Sequence, residues 1–122
     1  MALLACVIHY DEKSGKAAAT YSVLGVSVGD EILFMADYPN TGIKYIGESP
    51  FQGDHGPQAD QVFATGKEPG PFRVTMPSDG TPRHFDCGEV KAADAVTPQG
   101  TTTTTYTFSK RWAGGGDTPP DL

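Results

Sequence analysis

The stretch TTTTTYTFSKRW, Thr101 to Trp112, divides into two alternating sets of side chains. Thr102, Thr104, Tyr106, Phe108, Lys110 and Trp112 form one set, which becomes apolar toward its C-terminal end. Thr101, Thr103, Thr105, Thr107, Ser109 and Arg111 form the other, polar throughout. Side chains alternate across a strand, so the pattern predicts a half-buried antiparallel strand. Branching at Cβ suits a solvated strand face, so the threonine run reads as strand rather than as low-complexity disorder.

The same grammar extends upstream. LLACVIHY (Leu3–Tyr10) and EILFMADY (Glu31–Tyr38) are nearly continuous apolar runs, as expected of central strands covered on both faces. TYSVLGVSV, QVFAT and RHFDCGEV read as further strands, and FRVTM sends Phe72, Val74 and Met76 inward. PNTG (Pro39–Gly42) is a turn signal, with IKYIG returning after it as the second arm of a hairpin. Helix competes only in GKAAATYSVLG, through its alanines, and in EVKAADAV. The fold class expected is all-β: one antiparallel β-sandwich or Greek-key barrel of about seven or eight short strands. It spans residues 1–112, and AGGGDTPPDL (113–122) reads as a flexible Gly/Pro-rich tail, held if at all by a neighbouring subunit.

Length and composition agree. A chain of 122 residues is one domain and buries roughly two-thirds of its unfolded surface, so it needs no staple to fold. Its 15 glycines and 10 prolines are dispersed as single breakers, which fits many strands joined by turns. The net charge of −6 is acidic, and apart from Lys110-Arg111 the basic residues stand alone, so no stripe exists to track phosphates. Nucleic acid is not expected as a partner. No run approaches the ~20 apolar residues that span a bilayer, so no membrane is expected either. MALLACVI lacks a charged leader and a cleavage site, which favours the cytoplasm or a virion over secretion.

Two cysteines and three histidines raise the question of metal. Cys6 and His9 stand three apart, as do His84 and Cys87, so a Cys2His2 set is conceivable on paper. Residues three apart in a strand face opposite ways, whereas tetrahedral zinc requires all four ligands at about 2.0–2.3 Å. The expectation is no metal and no cofactor, with Cys6 and Cys87 either free or joined in a long-range disulfide. VSVGDEILFMADYPN (Val26–Asn40) is similar to the strand–turn–strand preceding the first ligand in cupredoxins, which are small antiparallel sandwiches. The resemblance covers about fifteen residues and implies a similar sandwich. No His or Met follows Cys87, so it brings no copper site.

The thirteen-residue segment ESPFQGDHGPQAD (Glu48–Asp60) is a long loop carrying Glu48, Asp54, His55 and Asp60, which read as solvated surface groups. Within it Phe51 either plugs one end of the sandwich or grips a partner. No nucleophile elbow, phosphate loop or nucleophile–base–orienter set is present, so an enzyme is not expected. Tyr106, Phe108, Lys110, Arg111 and Trp112 together resemble an aromatic–arginine contact surface, with Trp112 alternatively closing the core. The function expected is a non-enzymatic structural or interaction module. Such a module would bind a protein partner or form a homo-oligomer, as a subunit or decoration protein of a larger assembly such as a virion. The alternative is a small carbohydrate- or ligand-binding domain using the 48–60 loop. Third comes a Cys/His metal or redox protein using Cys6, His9, His84 and Cys87.

Overall fold

A computed structural model describes residues 2–22, 25–51, 56–65, 70–77 and 80–119. It contains β1 (Leu3–Asp11), β2 (Lys16–Tyr21), β3 (Glu31–Ala36), β4 (Thr41–Tyr45), β5 (Phe63–Ala64), β6 (Phe72–Arg73), β7 (Arg83–Val96), β8 (Thr102–Arg111) and β9 (Ala113–Thr118). The fold is all-β, and no helix of the described residues is long and apolar enough to cross a membrane. One curled sheet runs β5-β4-β7-β9-β2-β1-β3-β6, with β8 paired to β7 off this path. The curl brings the two terminal strands together: the rings of Phe63 and Phe72 lie 5.1 Å apart, edge to face. Two pairings, β1 with β3 and β2 with β9, are parallel, so the half-barrel is mixed rather than wholly antiparallel.

A curled single sheet has one inside, and this changes the reading of the apolar runs. Leu4, Cys6 and Ile8 of β1 are buried and so are Ile32 and Phe34 of β3, but Leu3 and Met35 are exposed. Both strands therefore alternate, with one face in the core and the other in water. The same period of two explains why KAAATY is strand and not helix. Ala17 is buried and Ala19 and Tyr21 pack against the core, while Lys16, Ala18 and Thr20 face out.

Two further expectations are corrected. PNTG is a turn, with Asn40 at φ 57°, but it does not close a hairpin. Both edges of β3 are already taken by β1 and β6, so the chain crosses over and β4 pairs with β7 and β5 instead. The segment read as a tail is β9, lying between β2 and β7, with Lys16↔Ala113 and His84↔Asp117 among its partners. Pairing within the chain, not a neighbouring subunit, orders residues 113–118. The hydroxyl of Thr118 lies 2.6 Å from that of Tyr45, both in the interior. Burial pushes the Tyr45 phenol above its usual range.

Candidate functional site

The feature that stands out is the far half of the β7–β8 hairpin. Its ladder runs from Gly88↔Arg111 to Val96↔Thr102 with a register shift between Glu89 and Val90. A three-residue loop closes it: the Gly100 amide donates to the Thr97 carbonyl at 2.9 Å and the Thr97 amide to the Thr101 carbonyl at 2.8 Å. EVKAADAV thus continues as strand, held across the ladder by its threonine-rich partner. Lys91 through Val96 and Thr101 through Thr105 are all exposed, Val96 at 70%. With residues of both faces open, this ribbon is an arm roughly 20 Å long rather than part of the barrel wall. Between Val90 and Ser109 its only charges are Lys91 and Asp94, and Asp94 accepts a 2.7 Å bond from the Thr104 hydroxyl.

Glycines seat the base of the arm. Gly42 of β4 and Gly88 of β7 are partners across the ladder and leave a trough on the outer surface. A Cβ on Gly88 would lie 2.7 Å from Cδ1 of Phe108, and one on Gly42 would meet Cγ1 of Val90. The absence of side chains there lets Phe108 and Val90 lie against the sheet. A chain of polar contacts links side chains of β9, β7 and β8. His84 lies 2.9 Å from Asp117 and 3.3 Å from Asp86, and Asp86 accepts from the Arg111 guanidinium at 2.7 Å.

Between arm and barrel lies a cleft of about 710 Å³. Thr104–Thr107 of β8 form one wall, and residues 56–58 and 60–64 with Phe72 form the other. Among the described residues, Lys44 and Asp60 are the charged ones lining it.

Against this geometry the sequence candidates separate. Tyr106 lines the cleft and Phe108 seats the arm, both half-buried, while Lys110 and Arg111 are exposed beside the arm base. Trp112 and Phe51 are corrected from contact residues to core residues. Trp112 is 4% exposed and stacks on Tyr10 at 3.9 Å; Phe51 is 2% exposed, with the rings of Phe34, Tyr45 and Phe72 around it at 6.1–6.2 Å. A contact surface built on these two rings is therefore not available to a partner. In the long loop Glu48 reaches Arg83 at 3.4 Å and Asp60 faces the cleft, while Asp54 and His55 lie outside the described residues. Lys44, Val62, Phe63 and the arm strand 91–96 went unnoticed in the sequence.

The Cys/His quartet does not converge. His9 pairs with Asp37 at 2.8 Å on the outside, His84 is exposed, and Cys6 and Cys87 are buried. Among the described residues no three ligating side chains form a group suited to a metal ion. The cysteines are free thiols, not a disulfide, and burial pushes both up to about 12. Thiolate is the reactive form, so neither should react with a thiol reagent at pH 8 in the folded protein. Two thiols per chain should titrate once denaturant is added; release of either under native conditions would place it outside the core.

Comparison with protein-family models, curated proteins and solved structures finds no match to this chain.

Proposed function

We propose that this protein is a non-enzymatic interaction module, a structural subunit or decoration protein of a larger assembly such as a virion, whose contact element is the arm at residues 90–108. The observation that carries the reading is the exposure of the arm along Lys91–Val96 and Thr101–Thr105. Two-stranded ribbons are marginal alone in water, so an arm kept clear of the core gains most of its support from whatever covers it. Its near-neutral composition on a chain of net charge −6 lets a neutral or acidic protein approach it with little repulsion.

A photo-crosslinking side chain at Thr105 tests this, with the same probe at Lys13, in the β1–β2 turn, as reference. Thr105 is expected to give one discrete product, identified by mass spectrometry, that Lys13 does not give. A shortened variant, with residues 92–106 replaced by Asn-Gly between Lys91 and Thr107, should keep its melting temperature and lose that partner. No product from Thr105, or equal products from both positions, overturns the reading.

The cleft favours a second reading, a small carbohydrate- or ligand-binding domain, because an aromatic side chain, Tyr106, lines it opposite Gln61 and Asp60. Saturable binding of a glycan from a defined panel, abolished by Tyr106→Ala, would support it over the first.

A further inference from the structure

We infer that the cleft receives an extended, uncharged segment of a partner polypeptide, which adds to β8 as a further strand. This rests on the interaction-module reading and gives its contact a geometry.

The hydrogen-bond alternation fixes which backbone groups are available. Thr97 and Thr101 bond directly at the hairpin end, so Thr103, Thr105 and Thr107 also turn their amides and carbonyls toward β7. Thr102, Thr104 and Tyr106 must then direct theirs away from β7. At the base of the arm the Val90 amide donates to the Asn40 carbonyl rather than to its partner Phe108, as this alternation requires. Four consecutive β8 residues line the cleft and no β7 residue does, so the cleft lies along the edge of β8 that no described strand pairs.

That edge lacks the charges and prolines that commonly deter strand addition. Thr101 to Ser109 contain no charge and no proline, whereas the β7 strand of the arm carries Lys91 and Asp94. The four residues from Thr104 to Thr107 give about 14 Å of edge, enough for a short strand. Opposite stand Val62, Phe63 and Phe72, which would meet the apolar side chains on one face of an added strand. Among the described residues one cation and one anion line the cleft, Lys44 and Asp60, and their charges cancel. The occupant is therefore an extended segment with apolar residues at every second position and no net charge.

The test is selection of displayed random 12-residue peptides on the full-length protein. It uses Thr104→Pro as the discriminating variant and Thr104→Val as the control. Proline at position 104 removes an amide that faces the cleft and leaves the β7–β8 ladder its donors. Valine keeps that amide and removes only the hydroxyl. Enriched peptides should alternate in polarity, bind Thr104→Val like the parent and bind Thr104→Pro at least about 10-fold more weakly. Melting temperatures of both variants verify the fold.

Three results overturn the inference: no peptide enriched, peptides bound equally by Thr104→Pro, or concentration-dependent self-association that Thr104→Pro abolishes. The last would assign the edge to a second copy of this chain. If Thr105 still crosslinks to a partner while peptide selection fails, the strand-addition geometry is wrong and the module reading stands. If both fail, neither survives.

Discussion

Trp112→Ala is expected to destabilise the protein by about 3–5 kcal/mol, the range for deleting a buried aromatic. Trp112 is the residue between β8 and β9, where the long partner strand of β7 is interrupted. Its amide donates to the Cys87 carbonyl at 3.0 Å, so the break stays bonded to the central strand. The indole lies almost parallel to Tyr10, at 13°, and meets Tyr38 edge-on at 5.6 Å. Such aromatic pairs add about 0.5–1.5 kcal/mol beyond the area they bury. Removing the ring empties a site walled by β1 and the turn after β3, and loosens the base from which the arm projects. Since this is the only tryptophan, urea unfolding should be followed by circular dichroism. Amide exchange at Lys91, Ala93 and Ala95, whose amides face β8, should accelerate along with the loss of stability. A cost below about 1 kcal/mol would place the indole outside the core, where surface substitutions fall.

How far the sequence could be read depends on the range of the interactions involved. Alternation is local, so β8 was legible as a strand from neighbouring residues alone. Opposed faces within a strand are just as local, which is why the separation of His9 and His84 from the cysteines could be stated before any coordinates. The covering of each face is not local. Leu3, Val7, Leu33 and Met35 make β1 and β3 look buried on both sides, and only the curl of a single sheet leaves Leu3 and Met35 in water.

Pairing choice is longer in range still. PNTG signals a turn, but whether β3 and β4 pair depends on β1 and β6 occupying the edges of β3 first. The cleft was invisible for the same reason: it joins Lys44, Val62–Ala64, Phe72 and Thr104–Thr107, segments far apart in the chain. Composition misled most at AGGGDT. Glycine there marks close backbone approach rather than freedom, and the two roles look identical without a partner strand in view.

That last point is open to a direct measurement. Gly114→Ala is expected to cost about 3 kcal/mol, through two effects that a reference variant separates. Gly114 has φ +84°, where an L-residue loses about 1–2 kcal/mol. A Cβ there would also press into the carbonyl oxygen of Ala17, its partner in the parallel β2–β9 pairing, and crowding of that kind costs about 1–3 kcal/mol. Gly15 offers the comparison, because φ is +69° but a Cβ would meet nothing within 4 Å. Gly15→Ala should therefore show the dihedral cost alone. The difference between the two variants measures how tightly β9 is held against β2. It should exceed about 1 kcal/mol if residues 113–118 are a built-in strand. The Thr118–Tyr45 hydroxyl contact at 2.6 Å should loosen with it, since displacement of Gly114 shifts the strand that carries Thr118. Equal costs at the two glycines would mean that no backbone opposes Gly114 in solution. The segment would then be the tail its composition suggests, and β2 and the start of β7 would expose edges that β9 now covers.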